Sequence, residues 1–174
     1  MKPVIRTILV AATLLASLAA AASAQDEGTC SISSVAGTWA YTLTGTLMTS
    51  TGAVPFAAVG RETYDFDGTW SATQTSSMGG KIGQDVLKGT VTVNPDCTGT
   101  LKLSVYDQSG TLLRTAALDL VYLDNAREVR AIFTSLVLQP SGTSVPAIIT
   151  VSSRKLFPVY TMRIGFEGAA TAAK

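Results

Sequence analysis

Gly-Thr followed by an apolar residue occurs six times in this chain: at Gly37-Thr38-Trp39, Gly45-Thr46-Leu47, Gly68-Thr69-Trp70, Gly89-Thr90-Val91, Gly99-Thr100-Leu101 and Gly110-Thr111-Leu112. Glycine admits the positive φ of tight turns, and the branched Cβ of threonine suits an extended strand. The apolar residue then faces away from the threonine, because side chains alternate along a strand. Most of these tripeptides therefore predict a turn that hands over to a half-buried strand, and the chain reads as a meander of antiparallel hairpins.

Alternation around these markers places the strands. Gly37 to Met48 puts Trp39, Tyr41, Leu43 and Leu47 on one face and Thr38, Thr42, Thr44 and Thr46 on the other. Ser50 to Ala53 reads as a loop. Phe56 to Asp67 follows, with Phe56, Ala58, Gly60, Glu62, Tyr64 and Phe66 on one side. Asp67-Gly68 is a hairpin signal, and Thr69 to Met78 carries Trp70, Ala72, Gln74 and Met78 inward. Gly79 to Asp85, with three glycines, is expected to be a mobile loop. Further strands are expected over Leu87 to Val93, Thr98 to Val105, Leu112 to Leu123, Glu128 to Leu138, Val145 to Ser153 and Val159 to Phe166. Gln25 to Ser34 reads as irregular and Gly168 to Lys174 as frayed. Eight or nine strands at roughly ten-residue spacing, without a helical stretch, predict an all-β domain. A single antiparallel up-and-down barrel is favoured over a β-sandwich, since short turns between sequential strands need no crossover.

Residues 1–24 read as a signal peptide. Lys2 and Arg6 supply the positive charge, Ile8 to Ala22 is apolar apart from Thr13 and Ser17, and Ala22-Ser23-Ala24 is a small-x-small cleavage pattern. The apolar run is shorter than the roughly 20 residues of a membrane span, which favours cleavage over anchoring. Residues 25–174 are then one exported domain, periplasmic or secreted, with no span of its own. It keeps 11 basic and 12 acidic residues, because both removed charges are basic. Nothing in that balance suggests an electrostatic nucleic-acid or membrane partner, and no feature of the sequence bears on oligomeric state.

Cys30 and Cys97 are the only cysteines, and an even pair in an oxidising compartment predicts a disulfide. The alternative, free thiols or metal ligands, is weakened because the chain has no histidine to complete a zinc site. The same absence removes Ser-His-Asp and Cys-His catalysis. No metal or cofactor site is expected: Asp65-x-Asp67-Gly68 lacks the later carboxylates of a calcium loop, and no helix follows Gly79-Gly80-Lys81-Ile82-Gly83 to cradle a phosphate.

One inward residue stands out. Alternation places Glu62 beside Tyr64 on the face predicted to be inside, where a bare carboxylate costs several kcal/mol. A bulge at Gly60 that turns it outward, or a salt bridge to Arg61, Arg114 or Arg154, would relieve that cost. Otherwise Glu62 is a ligand anchor or an acid/base, with Gln74 as a second polar contact. Trp39 and Trp70 are expected to close the base of the barrel or to line a cavity with Tyr41 and Tyr64. Small inward residues (Gly45, Ala58, Gly60, Ala72, Gly89) leave volume that favours a cavity.

Gly37-Thr38-Trp39 at the head of the first strand resembles the G-x-W signature of the lipocalins and the opening strand of the avidins. The resemblance implies a ligand-binding barrel with an apolar pocket and the tryptophan packed at its closed end. The segments Pro55 to Arg61 and Val93 to Thr100 are similar to exported bacterial proteins of unknown function. The expected function is binding of a small apolar or amphipathic ligand, or service as an interaction module, with Trp39, Tyr41, Glu62, Tyr64 and Trp70 as the ligand-binding residues. Two alternatives stand beside it: a cofactor-free barrel isomerase or cyclase using Glu62 with Tyr64 or Tyr41, and a structural envelope-associated protein with a filled core.

Overall fold

The computed structural model describes residues 29–156. The signal segment 1–24 and the strand expected over Val159 to Phe166 lie outside the described residues. A four-residue helix, α1 (Ile32–Val35), precedes nine strands: β1 (Gly37–Thr49), β2 (Gly52–Tyr64), β3 (Thr69–Met78), β4 (Lys81–Val93), β5 (Thr98–Tyr106), β6 (Leu112–Leu123), β7 (Glu128–Leu138), β8 (Thr143–Ser144) and β9 (Ala147–Lys155). Sequential neighbours pair antiparallel from β1 to β7, β9 pairs with both β7 and β1, and the β6–β7 ladder completes the ring. The result is a closed eight-stranded up-and-down barrel, with β8 as a short addition beside the end of β7.

Three of the six Gly-Thr markers open strands as expected. Gly37, Gly68 and Gly110 have φ of 128°, 86° and 85°, and the turn carboxylates lock two of the handovers. Asp67 Oδ1 accepts the Thr69 N–H at 2.8 Å, and Asp107 Oδ1 accepts from the Ser109 hydroxyl at 2.6 Å and from the Thr111 N–H at 2.9 Å, which holds both carboxyl groups below their usual range. The other three markers, at Gly45, Gly89 and Gly99, lie inside strands. There the neighbouring chain comes too close for a side chain: a Cβ on Gly89 would sit 2.3 Å from the Lys102 carbonyl oxygen. Glycine here permits the tight coiling of a small barrel rather than a turn.

Two expected loops are shorter than anticipated. Gly79 to Asp85 is not a loop: Gly79-Gly80 alone makes the turn, with φ of 57° and 86°, and β4 starts at Lys81 paired to Met78. Ser50-Thr51 likewise suffices between β1 and β2. At the other end of β2 the strand stops at Tyr64, so Phe66 lies in the turn and is exposed rather than inward. Ile32–Val35, expected to be irregular, makes one helical turn because Ser31 and Ser34 form a reciprocal capping box.

The two ends of the barrel differ. The end where β1 begins is plugged by α1, which the Cys30–Cys97 disulfide ties to the β4–β5 turn. Trp39 Nε1 donates to the Val35 carbonyl at 2.9 Å and Lys155 Nζ to the Ser34 carbonyl at 2.9 Å. At the opposite end β7 and β9 part company. They pair only over Glu128–Ile132 and Thr150–Arg154, and beyond that β7 turns to β8 instead.

Candidate functional site

Glu62 points into the barrel and is 4 % exposed. Neither proposed relief operates. The register runs unbroken through Gly60, which faces Tyr41 on one side and Gln74 on the other, so no bulge turns Glu62 outward. Arg61 and Arg154 are on the solvent face, and Arg114 is engaged elsewhere. Among the described residues Glu62 has no cationic partner. It accepts hydrogen bonds from Trp70 Nε1 at 3.0 Å and from the Ser153 hydroxyl. Burial pushes its pKa up to about 7, against the opposing pull of hydrogen bonds from Ser153, Trp70 and Tyr64. Burial, helped by the Glu62 charge, raises the phenols of Tyr41, Tyr64 and Tyr122. The Tyr122 hydroxyl has no hydrogen-bond partner among the described residues.

Tyr41, Glu62, Tyr64 and Trp70 come together around an internal cavity of about 30 Å³, with Ser153 beside them. At ~10–15 Å³ per water this is room for about two water molecules. Trp39 lies below it, fully buried, its ring 5.4 Å from that of Tyr64. The tryptophan therefore packs at the closed end. Inward glycines do not leave open volume here. The Tyr41 ring lies where a Gly60 Cβ would be, within 2.6 Å of it, and Tyr122 covers Gly99 in the same way.

A second buried polar group was not anticipated as such. Tyr41 donates its hydroxyl to Gln74 Oε1 at 2.9 Å, and Gln74 Nε2 donates to Asp85 Oδ2 at 2.8 Å. Ser76 and Arg114 donate to the same Asp85 oxygen at 3.1 and 2.9 Å. The Arg114–Asp85 ion pair is nearly closed to solvent, with side chains 11 % and 6 % exposed, and the guanidinium sits 5.5 Å from the centre of the Phe56 ring. Arg114 shares inward parity with Ala116, Leu118 and Leu120, so its direction could be read from the sequence. Asp85 could not, because it fell in the supposed loop.

The larger of these two interior cavities, about 110 Å³, lies at the end away from the plug. Its walls include Leu47, Phe56, Phe133, Leu136 and Ile149, and Thr49, Gln74 and Arg114 are its polar lining residues. Leu43, Leu87, Leu103 and Phe133 border both cavities and separate them. It lies at the end where β7 leaves β9. None of the five residues expected to bind ligand lines it. Among the described residues no cluster of three or more acidic or thiol side chains could hold a metal ion.

No protein-family model matches the chain, and no curated protein matches it. Among solved structures, that of EF1p2_mFAP2b bound to DFHBI is similar, with 13% sequence identity, a TM-score of 0.49, and coverage of 72% of this chain and 96% of that one. The barrel assignment stands on the strand register of this chain itself.

Proposed function

We propose that the protein is exported and binds a small apolar or amphipathic molecule in the cavity at the open end of its barrel. The observation that carries this reading is the largely apolar space of about 110 Å³ inside a barrel whose other interior cavity holds only about 30 Å³. Protein interiors are packed with few voids larger than a water molecule. An apolar cavity of ~150 Å³ stays dry and takes up benzene, so this one suits a ring or short alkyl chain, any remainder of the ligand projecting toward the mouth. Export is supported by the Cys30–Cys97 disulfide and by the leader-like first 24 residues. No helix among the described residues is long and apolar enough to cross a membrane.

Both tryptophans lie at the plugged half, so their fluorescence reports poorly on this cavity. The direct test is methyl-resolved NMR during titration with toluene. Saturable shifts are expected at Leu47, Leu136 and Ile149, and Ala116→Leu, which fills the space, should abolish them. No saturable change up to the solubility limit of toluene would defeat the reading.

A further inference from the structure

Arg114 is held in an unusual way for a cation inside a barrel. Its guanidinium carries five N–H donors in a fixed fork, and only Nη2 has a partner, Asp85 Oδ2. Nε and Nη1 have none among the described residues. They are not sealed off either: among the described residues, the Tyr122 hydroxyl is the only fully enclosed side-chain polar atom without a partner. Arg114 also lines the larger cavity. A bulge lies just before it, since Val105 pairs with Arg114 but Tyr106 pairs with Leu112, leaving Leu113 as the extra residue. Bulges re-aim the side chains beside them. The head group cannot swing away easily, because Phe56 lies against it and Asp85 is itself pinned by Gln74 and Ser76.

We infer that the free donors of Arg114 are the polar anchor of the cavity, and that they select an uncharged carbonyl group on the ligand: a ketone, ester or lactone attached to a small apolar body. The inference rests on the reading of this cavity as a ligand site. The argument for an uncharged acceptor is electrostatic. Asp85 already balances Arg114, so a ligand carboxylate would set two anions against one cation where water is largely excluded. A neutral oxygen fills the unused N–H groups and leaves that balance intact.

Three ligands of similar shape separate the possibilities: acetophenone, ethylbenzene and benzoate, titrated at pH 8 with the methyl shifts of Leu136 and Ile149 as readout. Acetophenone should bind at least tenfold more tightly than ethylbenzene, the scale of one hydrogen bond from a charged donor, and benzoate most weakly. In the double variant Asp85→Asn, Arg114→Met, which leaves neither charge buried alone, the advantage of acetophenone should shrink to within threefold while ethylbenzene still binds. Equal binding of acetophenone and ethylbenzene to the native protein would overturn the role of Arg114 and leave the cavity reading standing. Tightest binding of benzoate would overturn the neutral-acceptor assignment. Binding of none of the three would sink both. The comparison in the native protein decides the matter even if the double variant does not fold.

Discussion

Trp70 donates its indole N–H to the Glu62 carboxylate at 3.0 Å, from the strand next to β2 and deep in the plugged half of the barrel. The bond satisfies an indole that burial would otherwise leave unpaired, and it gives the carboxylate a donor where none of the described residues supplies a cation. Glu62 is therefore retained inside by neutral donors, and its titration becomes a property of the fold.

Stability should fall as pH rises through the Glu62 transition. The native state holds its proton up to about pH 7, whereas a Glu in the unfolded chain loses it near 4.5. Between those values the native state binds more protons, so unfolding becomes easier with rising pH and levels off above about 7. The full difference is on the order of 3 kcal/mol. Urea unfolding at pH 5, 7 and 9 should show this slope in the native protein and a flattened one in Glu62→Gln. An unchanged slope in that variant would assign the effect to other groups.

Removing the disulfide should loosen the plug before the barrel. Cys30→Ser with Cys97→Ser opens a loop of 67 residues, a loss of about 4 kcal/mol in the chain-entropy account. Trp39 packs directly on α1, so its emission should shift to the red in a Trp70→Phe background under conditions where the β-sheet circular dichroism is retained.

Gly60→Ala should be among the most damaging single-methyl changes in the chain. The new Cβ would meet the Thr73 carbonyl oxygen at 2.5 Å and the Tyr41 ring at 2.6 Å. A cost of roughly 1–3 kcal/mol is expected from such overpacking, and the Tyr41–Gln74 hydrogen bond should be displaced with the ring. Denaturant unfolding measures the first effect, and the hydroxyl-proton exchange rate of Tyr41 the second.

Asp85→Ala should cost about 3–5 kcal/mol, because it strands Arg114 without a counter-charge inside the wall. Adding Arg114→Met should restore much of that loss. A double-mutant cycle in urea measures the coupling, and additive losses would show that the two residues do not act as a pair.

The reach of the sequence follows from what each signal depends on. Two-residue periodicity is local, so the faces of Trp39, Tyr41, Glu62, Trp70 and Gln74 were all legible, and the barrel with them. The limits of β3, β6 and β7 were marked by Asp-Gly, Gly-Thr-Leu and Asp-Asn turn chemistry. Asp85 was lost because Gly83, a strand glycine, was indistinguishable from the turn glycines Gly79 and Gly80 before it. Phe66 was misplaced for the converse reason, since nothing in alternation says where a strand stops. The larger cavity was out of reach altogether. Its position depends on the separation of β7 from β9 and on extra residues at Leu113 and, where Leu118 pairs with Phe133 but Ala117 with Ser135, at Thr134. These are relations between strands distant in the chain.

The short β7–β9 ladder makes the wall unequal around its circumference. Every other junction of the ring is hydrogen-bonded over eight or more residue pairs, and this one over five. Amide exchange should be fastest along that seam, and a guest passing there would break fewer backbone bonds than anywhere else. Substitutions in the connection spanning 139–144, which does not line the cavity, would then change how quickly molecules are admitted while leaving how tightly they are held untouched, so that access and affinity could drift independently.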